Sequence, residues 1–226
     1  MFVYFAFQST FMESSQQEQA AQLQHIRQMM EQSSRFISLS GLSGIAAGTC
    51  ALIGAYFAGD IINKSGRSEL KNLDTYIYNG SLNLRDYMGN RLFLVALFTF
   101  VGALVFAFLF TWLRSKKTAT PIWGSASKRL MINVAIPMIA GGIYILKLIE
   151  QGSFGLIAPG CLIFYGLALV NASKYTLGEI KFLGYGQLIL GIISLWYMGN
   201  GLYFWAAGFG VLHIVYGAIM WSRYER

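Results

Sequence analysis

The fold is decided by residues 182–222, which read FLGYGQLILGIISLWYMGNGLYFWAAGFGVLHIVYGAIMWS and contain no Asp, Glu, Lys or Arg. A helix needs about 20 apolar residues to cross the hydrocarbon core of a bilayer. The Met-Gly-Asn-Gly sequence at 198–201 interrupts the run near its middle, and Gly and Asn are typical of tight turns. The stretch therefore predicts two membrane-spanning helices, at 182–198 and 201–222, joined by a turn.

Four further apolar segments precede this pair, at 37–59, 92–113, 130–149 and 153–173. The 226-residue chain is 55% hydrophobic and 12% charged, whereas about 25% of the residues of a soluble domain are charged. Because the spans use most of the chain, no segment is long enough for a separate globular domain. The sequence predicts an all-α, polytopic membrane protein with six transmembrane helices and an N-terminal amphipathic helix.

The N-terminal part, residues 1–36, is predicted to be cytoplasmic. Leu23, Ile26 and Met30 are spaced three and four apart in its polar 13–36 region, which is the period of an amphipathic helix on a membrane surface. Residues 1–12 lack the positive charge and the cleavage site of a signal peptide. Translation from Met12 is an alternative start.

The rest of the chain divides into two predicted parts. Residues 37–128 hold the first two spans, a long outer loop at 60–91 and a basic cytoplasmic loop at 114–129. Residues 129–226 form a compact half of four transmembrane helices. Span 92–113 is dense in Phe, Leu and Val, so we expect it to be the span most exposed to lipid. In span 37–59, Gly44 and Gly48 have the spacing that lets membrane helices pack closely.

The basic residues indicate topology and lipid contact rather than nucleic-acid binding. The net charge is +7, and the Lys and Arg side chains sit beside the apolar runs, where anionic lipids and membrane insertion account for them. With the N-terminus inside, cytoplasmic segments carry 11 of the 17 Lys and Arg residues. Both termini are therefore predicted to be cytoplasmic. The predicted contacts with anionic lipids are Arg114, Lys116, Lys117, Lys128 and Arg129.

Polar residues inside the spans are the candidate functional positions, because each is costly in hydrocarbon and needs a partner. Gln187 and His213 are each 13 residues from the turn at Asn200, so they should face each other within hydrogen-bond reach. The small residues of the two helices also lie at matching distances from the turn, which predicts a closely packed hairpin. His213 is either a neutral structural partner of Gln187 or a protonation switch or solute ligand. The small-residue positions are Gly184, Gly191, Ser194, Ala206, Gly210 and Gly217.

Two more pairs are predicted. Asn133 and Asn171 lie nearly level, each about 19 residues from the turn at Gln151 and Gly152, so they should meet near the cytoplasmic face. Lys147 and Glu150 have the i,i+3 spacing of an ion pair on a helix surface. The first pair is expected to be a structural bridge and the second an interfacial anchor, with a polar route or an outer gate as the alternatives.

Enzyme motifs are absent from the sequence. Cys50 and Cys161 fall inside spans and have no Cys-x-x-Cys or Cys/His cluster around them, and no phosphate loop, Gly-x-Ser-x-Gly or His-Glu-x-x-His motif occurs. We therefore predict no catalytic residue, no metal and no cofactor. A membrane enzyme would require Glu150, Glu179 or His213 to meet a second reactive group.

The stretch KYTLGEIKFLGYGQ at 174–187, with GLYFW at 201–205 and RYER at 223–226, resembles a group of uncharacterised bacterial six-helix membrane proteins. The resemblance covers mainly the last hundred residues. It implies a six-helix topology and a bacterial inner (plasma) membrane location, and it carries no activity.

Two functions remain open at this point. The first is a non-enzymatic module that associates with itself or with another protein through its glycine faces and basic loops. The second is a small-solute transporter or channel with a polar route near Gln187, His213, Asn133 and Asn171. A closed, tightly packed interior would favour association, and a continuous polar cavity reaching His213 would favour transport.

Overall fold

A computed structural model describes residues 40–64, 91–118 and 123–225, and these residues form helices without any strand. The helices are α1 (Gly41–Lys64), α2 (Arg91–Thr118), α3 (Ser125–Glu150), α4 (Ile157–Ala172), α5 (Ile180–Trp196) and α6 (Gly201–Tyr224). A 3₁₀ turn, Phe154–Leu156, leads into α4. Within α6, a π-helical turn, Ala206–Leu212, separates the α-helical segments Gly201–Trp205 and His213–Tyr224.

Five of these helices are long and apolar enough to cross a membrane: α1, α2, α3, α4 with its 3₁₀ turn, and α6. The prediction of an all-helical, multi-pass membrane protein is confirmed at this level. The remaining helix, α5, is apolar but has only 17 residues. The predicted amphipathic helix within 13–36 and most of the predicted loop 60–91 lie outside the described residues.

Three helices extend five residues beyond their predicted spans. Helix α1 continues past Gly59 to Lys64, and its last turn carries an ion pair of 2.9 Å between Asp60 and Lys64. Helix α2 continues through the first five residues of the predicted 114–129 loop, as far as Thr118, and α3 begins within the same loop at Ser125. Lys and Arg are good helix formers, so a helix need not end where its apolar stretch ends.

Glycine faces join the helices in two pairs, α4 with α5 and α1 with α6. A Cβ atom added at Gly184 would lie 2.9 Å from the Gly166 carbonyl oxygen, and one added at Gly217 would lie 2.6 Å from the Gly41 carbonyl oxygen. Gly44 and Gly48 also face α6, as expected for a packing face. Only glycine permits backbones to approach this closely.

The predicted hairpin, with the glycines of 182–198 facing those of 201–222, is therefore wrong. Gly184 and Gly191 of α5 contact α4, whereas Gly210 and Gly217 of α6 contact α1. A short turn brings two helices together only at one end, and the small-residue faces then pack against whichever helix complements them. Because α6 packs mainly along α1, the last four helices do not form a half separate from α1.

The outer members of the bundle have large lipid-facing surfaces. Helix α2 packs mainly against α1, and α3 packs mainly against α4. None of the residues in the most apolar window of α2 is buried within the protein. This agrees with the prediction that the second span is the one most exposed to lipid.

Candidate functional site

The π-helical turn of α6 lies beside a cluster of buried polar groups. Its sequence, AAGFGVL, combines small residues with Phe209. Single π-helical turns within α-helices are rare and occur frequently at functional sites. Here the Gly208 carbonyl oxygen, in the middle of the turn, accepts hydrogen bonds from two side chains.

His213 makes a hydrogen bond with each ring nitrogen. Nδ1 lies 3.0 Å from the Gly208 carbonyl oxygen, and Nε2 lies 2.9 Å from the Tyr165 hydroxyl. A carbonyl only accepts, so Nδ1 carries a proton, and in the neutral ring the Tyr165 hydroxyl donates to Nε2. Both ring nitrogens of His213 are thus satisfied by the protein.

Gln187 reaches the same carbonyl from α5. Its Nε2 donates to Gly208 O at 2.9 Å and lies 3.4 Å from Nδ1 of His213. Because Nδ1–H is itself a donor, it cannot accept a hydrogen bond from Gln187 Nε2. The two side chains are therefore in contact without a hydrogen bond between them. The predicted proximity of Gln187 and His213 is present, but the Gly208 carbonyl connects them.

Aromatic rings cover the imidazole. Tyr165 stacks on His213 with ring centroids 5.4 Å apart, and Phe209 lies against both rings. Trp205 continues the row next to Phe209. These rings and the fully buried Leu162 enclose the cluster, and Gln187 itself has no exposed surface.

Three buried polar atoms have no hydrogen-bond partner within the described part of the chain: Gln187 Oε1, Ser194 Oγ and the Tyr216 hydroxyl. Buried polar groups are nearly always paired, so such atoms call for a physical explanation. Tyr216 lies one helical turn after His213 on α6, and Ser194 lies two turns after Gln187 on α5.

A second polar site joins the end of the chain to the start of α1. The Glu225 carboxylate accepts hydrogen bonds from the Gly41 backbone N–H and the Ser40 hydroxyl, and it pairs with Arg114 at 2.7 Å. A carboxylate is favoured at a helix N-terminus, where the backbone N–H groups point outward. Glu225 therefore links α1, α2 and the end of α6, and we call this group the Glu225 clasp.

A third polar site links the loop before α5 to the end of α6. The Tyr224 hydroxyl donates to the Glu179 carboxylate at 2.6 Å, and Arg223 lies 3.6 Å from the same oxygen. The hydrogen bond from Tyr224 lowers the pKa of Glu179, and the charges of Arg223 and Lys181 act in the same direction.

The other predicted pairs are found in the structure. The Asn171 side-chain amide donates to the Asn133 backbone carbonyl at 2.8 Å and lies 3.4 Å from its Oδ1. Lys147 and Glu150 form an ion pair of 3.1 Å in which both side chains are mostly exposed. Neither pair touches the His213 cluster in the contacts described above, so the four predicted polar-route residues form two separate sites.

Four of the five residues predicted to contact anionic lipids, all except Arg114, lie on the protein surface. Lys116, Lys117, Lys128 and Arg129 are exposed, and the Lys116 ammonium lies 3.8 Å from the Trp112 ring centroid. Arg114 instead has its side chain 13% exposed and is engaged by Glu225. A guanidinium held in a buried ion pair is not available to a headgroup.

Over the described residues, no group of three or more His, Cys, Asp or Glu side chains is placed to hold a metal ion. Cys50 and Cys161 are free thiols. Glu150 and Glu179 lie in the two ion pairs described above, and His213 is paired with a tyrosine and a carbonyl.

No protein-family model, curated protein or solved structure matches this chain. The resemblance to bacterial six-helix proteins stays a prediction.

Three site residues were not predicted from the sequence: Tyr165, Gly208 and Glu225. Tyr165 is at the same helical level as His213 but on α4, and no spacing rule connects those two helices. Gly208 acts through its backbone carbonyl, which leaves no side-chain pattern. The spacing of Trp205, Phe209 and His213 at i, i+4 and i+8 was the available clue that one face of α6 carries the rings around the histidine.

Proposed function

We propose that the chain is a six-span membrane protein with both termini on the cytoplasmic side of a bacterial plasma membrane. The sixth span is α5, whose 17 residues correspond to a length of about 25 Å at about 1.5 Å per residue. Its contacts with α4 extend from Gly184 near one end to Gly191 in the second half of the helix. A helix packed along another spanning helix at both levels shares its depth in the bilayer.

The proposed activity is non-enzymatic association, through the basic end of the bundle, with an acidic segment of a partner protein. We define the basic end as the exposed residues Lys116, Lys117, Lys128 and Arg129. The proposal rests on one observation: both carboxylates near the basic end are already paired with other side chains. Glu179 and Glu225 are engaged by Tyr224, Arg223 and Arg114, so they do not neutralise the basic end.

The glycine faces do not serve this association. They were the other surface expected to contact a partner, but those of α1, α4, α5 and α6 are occupied by contacts within the chain. Of the two surfaces expected to contact a partner, the basic end is the one still available. Its four cations form no ion pair with any described carboxylate. Positive surfaces attract acidic partners and give them fast, salt-dependent association.

The test measures binding of a poly-glutamate peptide to the protein in nanodiscs of neutral lipid. We expect binding that weakens steeply as salt rises, and loss of binding when all four basic-end residues are changed to Gln. A matched control changes Lys64 and Lys147, which are also exposed but are paired with Asp60 and Glu150. Equal losses in the two variants, or no binding by the unchanged protein, would refute the proposal.

Transport of a small solute through the His213 cluster is the second candidate. It is favoured by the unpartnered Gln187 and Ser194 oxygens, which a polar ligand could satisfy. Against it, the cluster is enclosed by Leu162 and aromatic rings. A Ser194→Cys variant in a background without Cys50 and Cys161 separates the two. Labelling by a membrane-impermeant thiol reagent would support transport, and resistance to labelling would support a closed interior.

A further inference from the structure

The Glu225 clasp has the construction of an anion-binding site. Ser40 and Gly41 supply a hydroxyl and a backbone N–H at the N-terminus of the 24-residue helix α1, and Arg114 supplies a guanidinium from α2. Ser40 is only 4% exposed, and its hydroxyl lies 3.2 Å from one carboxylate oxygen of Glu225. The other oxygen lies 2.7 Å from Arg114 Nη1 and accepts from the Gly41 N–H. Donors from two helices thus meet at one point, and that point holds a negative charge.

The donors are positioned by contacts that do not involve Glu225. The backbone N–H and the hydroxyl of Ser43 both donate to the Ser40 carbonyl oxygen, which fixes the first turn of α1. A Cβ atom added at Gly41 would lie 2.3 Å from the Trp221 backbone nitrogen, so the start of α1 lies directly against α6. Helix α2 packs along α1. The anion site would therefore keep its shape if the carboxylate left it.

The occupant of the site is held on a movable side chain. Glu225 follows the last residue of α6, and its backbone N–H donates to the Trp221 carbonyl oxygen at 3.0 Å. Rotation about the side-chain bonds of Glu225 removes the carboxylate from the donors and leaves that backbone bond intact. Helix ends are also among the parts of a protein that open at the lowest free energy.

We propose that Ser40, Gly41 and Arg114 form a binding site for a phosphate group, and that the Glu225 carboxylate competes with phosphate for this site. Helix N-termini bind phosphates through their N–H groups, and the planar guanidinium of Arg matches two phosphate oxygens. A phosphodiester carries one negative charge, as does the carboxylate that it replaces. Arg114 becomes available to a phosphate only when Glu225 leaves. This inference goes beyond the proposed association and does not depend on it.

Two sources supply phosphate groups of this chemistry: lipid headgroups and soluble phosphate. Arg114 lies between Trp112 and Lys116 on α2, and the Lys116 ammonium is 3.8 Å from the Trp112 ring centroid. Trp residues are enriched at the interface between membrane and water, where Lys and Arg also flank the spans. This position favours a headgroup, and the experiment compares the two sources directly.

The experiment follows thermal unfolding of the full chain in dodecyl maltoside, a detergent without phosphate, by tryptophan fluorescence. Glu225→Ala removes the occupant, and a ligand that binds the folded state then raises the melting temperature. We expect inorganic phosphate to bind this variant about 100-fold more tightly than the unchanged protein. The reason is that a buried ion pair leaves the site open in only about 1% of the molecules, and the apparent affinity falls by that fraction. Sodium chloride at equal ionic strength should not reproduce the rise.

Two control variants separate this site from exposed cations. Arg114→Gln in the Glu225→Ala background removes the guanidinium and should abolish the rise. Glu150→Ala frees Lys147 from an exposed ion pair and should show no rise. If Glu225→Ala does not fold, Glu225→Asp retains a shorter carboxylate and should bind phosphate with an intermediate affinity, and an affinity equal to that of the unchanged protein would contradict the competition.

Dihexanoylphosphatidylglycerol is the second ligand, because it presents the phosphodiester of a lipid headgroup in soluble form. A rise with either ligand that Arg114→Gln abolishes supports the phosphate site, and the ligand that acts at the lower concentration identifies the source. The absence of a rise with both ligands, or an equal rise in the Arg114→Gln variant, would overturn the proposal.

Discussion

His213 and Gln187 lie in one cluster but carry unequal shares of its stability. Replacing His213 by Ala leaves a cavity and removes the partner of the Tyr165 hydroxyl, so we expect a loss of about 2 kcal/mol or more. Gln187→Met keeps the volume and removes both the bond to Gly208 and the unpartnered Oε1. We expect that loss to stay below about 1 kcal/mol, as for an average membrane hydrogen bond. Unfolding in mixed micelles with rising SDS measures both, and equal losses would contradict this assignment of roles.

Residue-level prediction succeeded where both partners follow the periodicity of their helices. Counting from the turns placed Gln187 near His213 and Asn171 near Asn133, and both contacts are present. It failed where a partner is a backbone atom or comes from an unrelated helix, as for the Gly208 carbonyl and for Tyr165. Neither leaves a pattern in the local sequence.

Helix pairing gives the second prediction. Gly217→Ala would place a methyl group 2.6 Å from the Gly41 carbonyl oxygen, so α1 and α6 would have to separate. Overpacking of this kind costs about 1–3 kcal/mol. Gly142→Ala on α3 is the control, because an added Cβ there has nothing within 4 Å. Unfolding of the two variants in the same micelles should show a loss only for Gly217→Ala, and a tolerated alanine at 217 would mean that this face does not hold the pair together.

The contact between the loop before α5 and the end of α6 should be sensitive to acid. The pKa of Glu179 is below its usual value of 4.5, so its contribution to folding is present above that value and is lost as the pH falls through the lower folded-state pKa. Glu179→Gln should therefore reduce the loss of stability below pH 4.5. Unfolding at neutral and acidic pH measures the difference. Glu150→Gln, in an exposed pair, should retain the full acid dependence, and the same profile in both variants would exclude a role for Glu179.

The identity of the spans was predictable from the sequence, but their arrangement was not. Apolar length identifies a helix that can cross the bilayer, and five of the predicted spans meet that criterion in the structure. Which helices pack together depends instead on which small-residue faces fit each other in three dimensions. Gly184 packs on α4 and Gly217 packs on α1, although chain order had suggested that they face each other.

The whole bundle is closed by the Glu225 clasp, because this one carboxylate connects α1, α2 and the end of α6. Both side chains of the Arg114–Glu225 pair are 13% exposed, and disrupting one partner of a buried ion pair costs about 3 kcal/mol or more. Glu225→Gln keeps one acceptor oxygen, replaces the other with an amide donor and removes the charge that faces Arg114.

We therefore expect Glu225→Gln to destabilise the protein by about 3 kcal/mol, because α1 and α2 both lose their link to the end of α6. Glu150→Gln is the matched control, since it removes the same charge from an exposed pair whose expected contribution is below about 1 kcal/mol. If the two glutamine variants unfold at the same SDS fraction, the clasp does not hold the helices together. If only Glu225→Gln is impaired, the far ends of the described chain are joined by a single carboxylate that no local sequence pattern reveals.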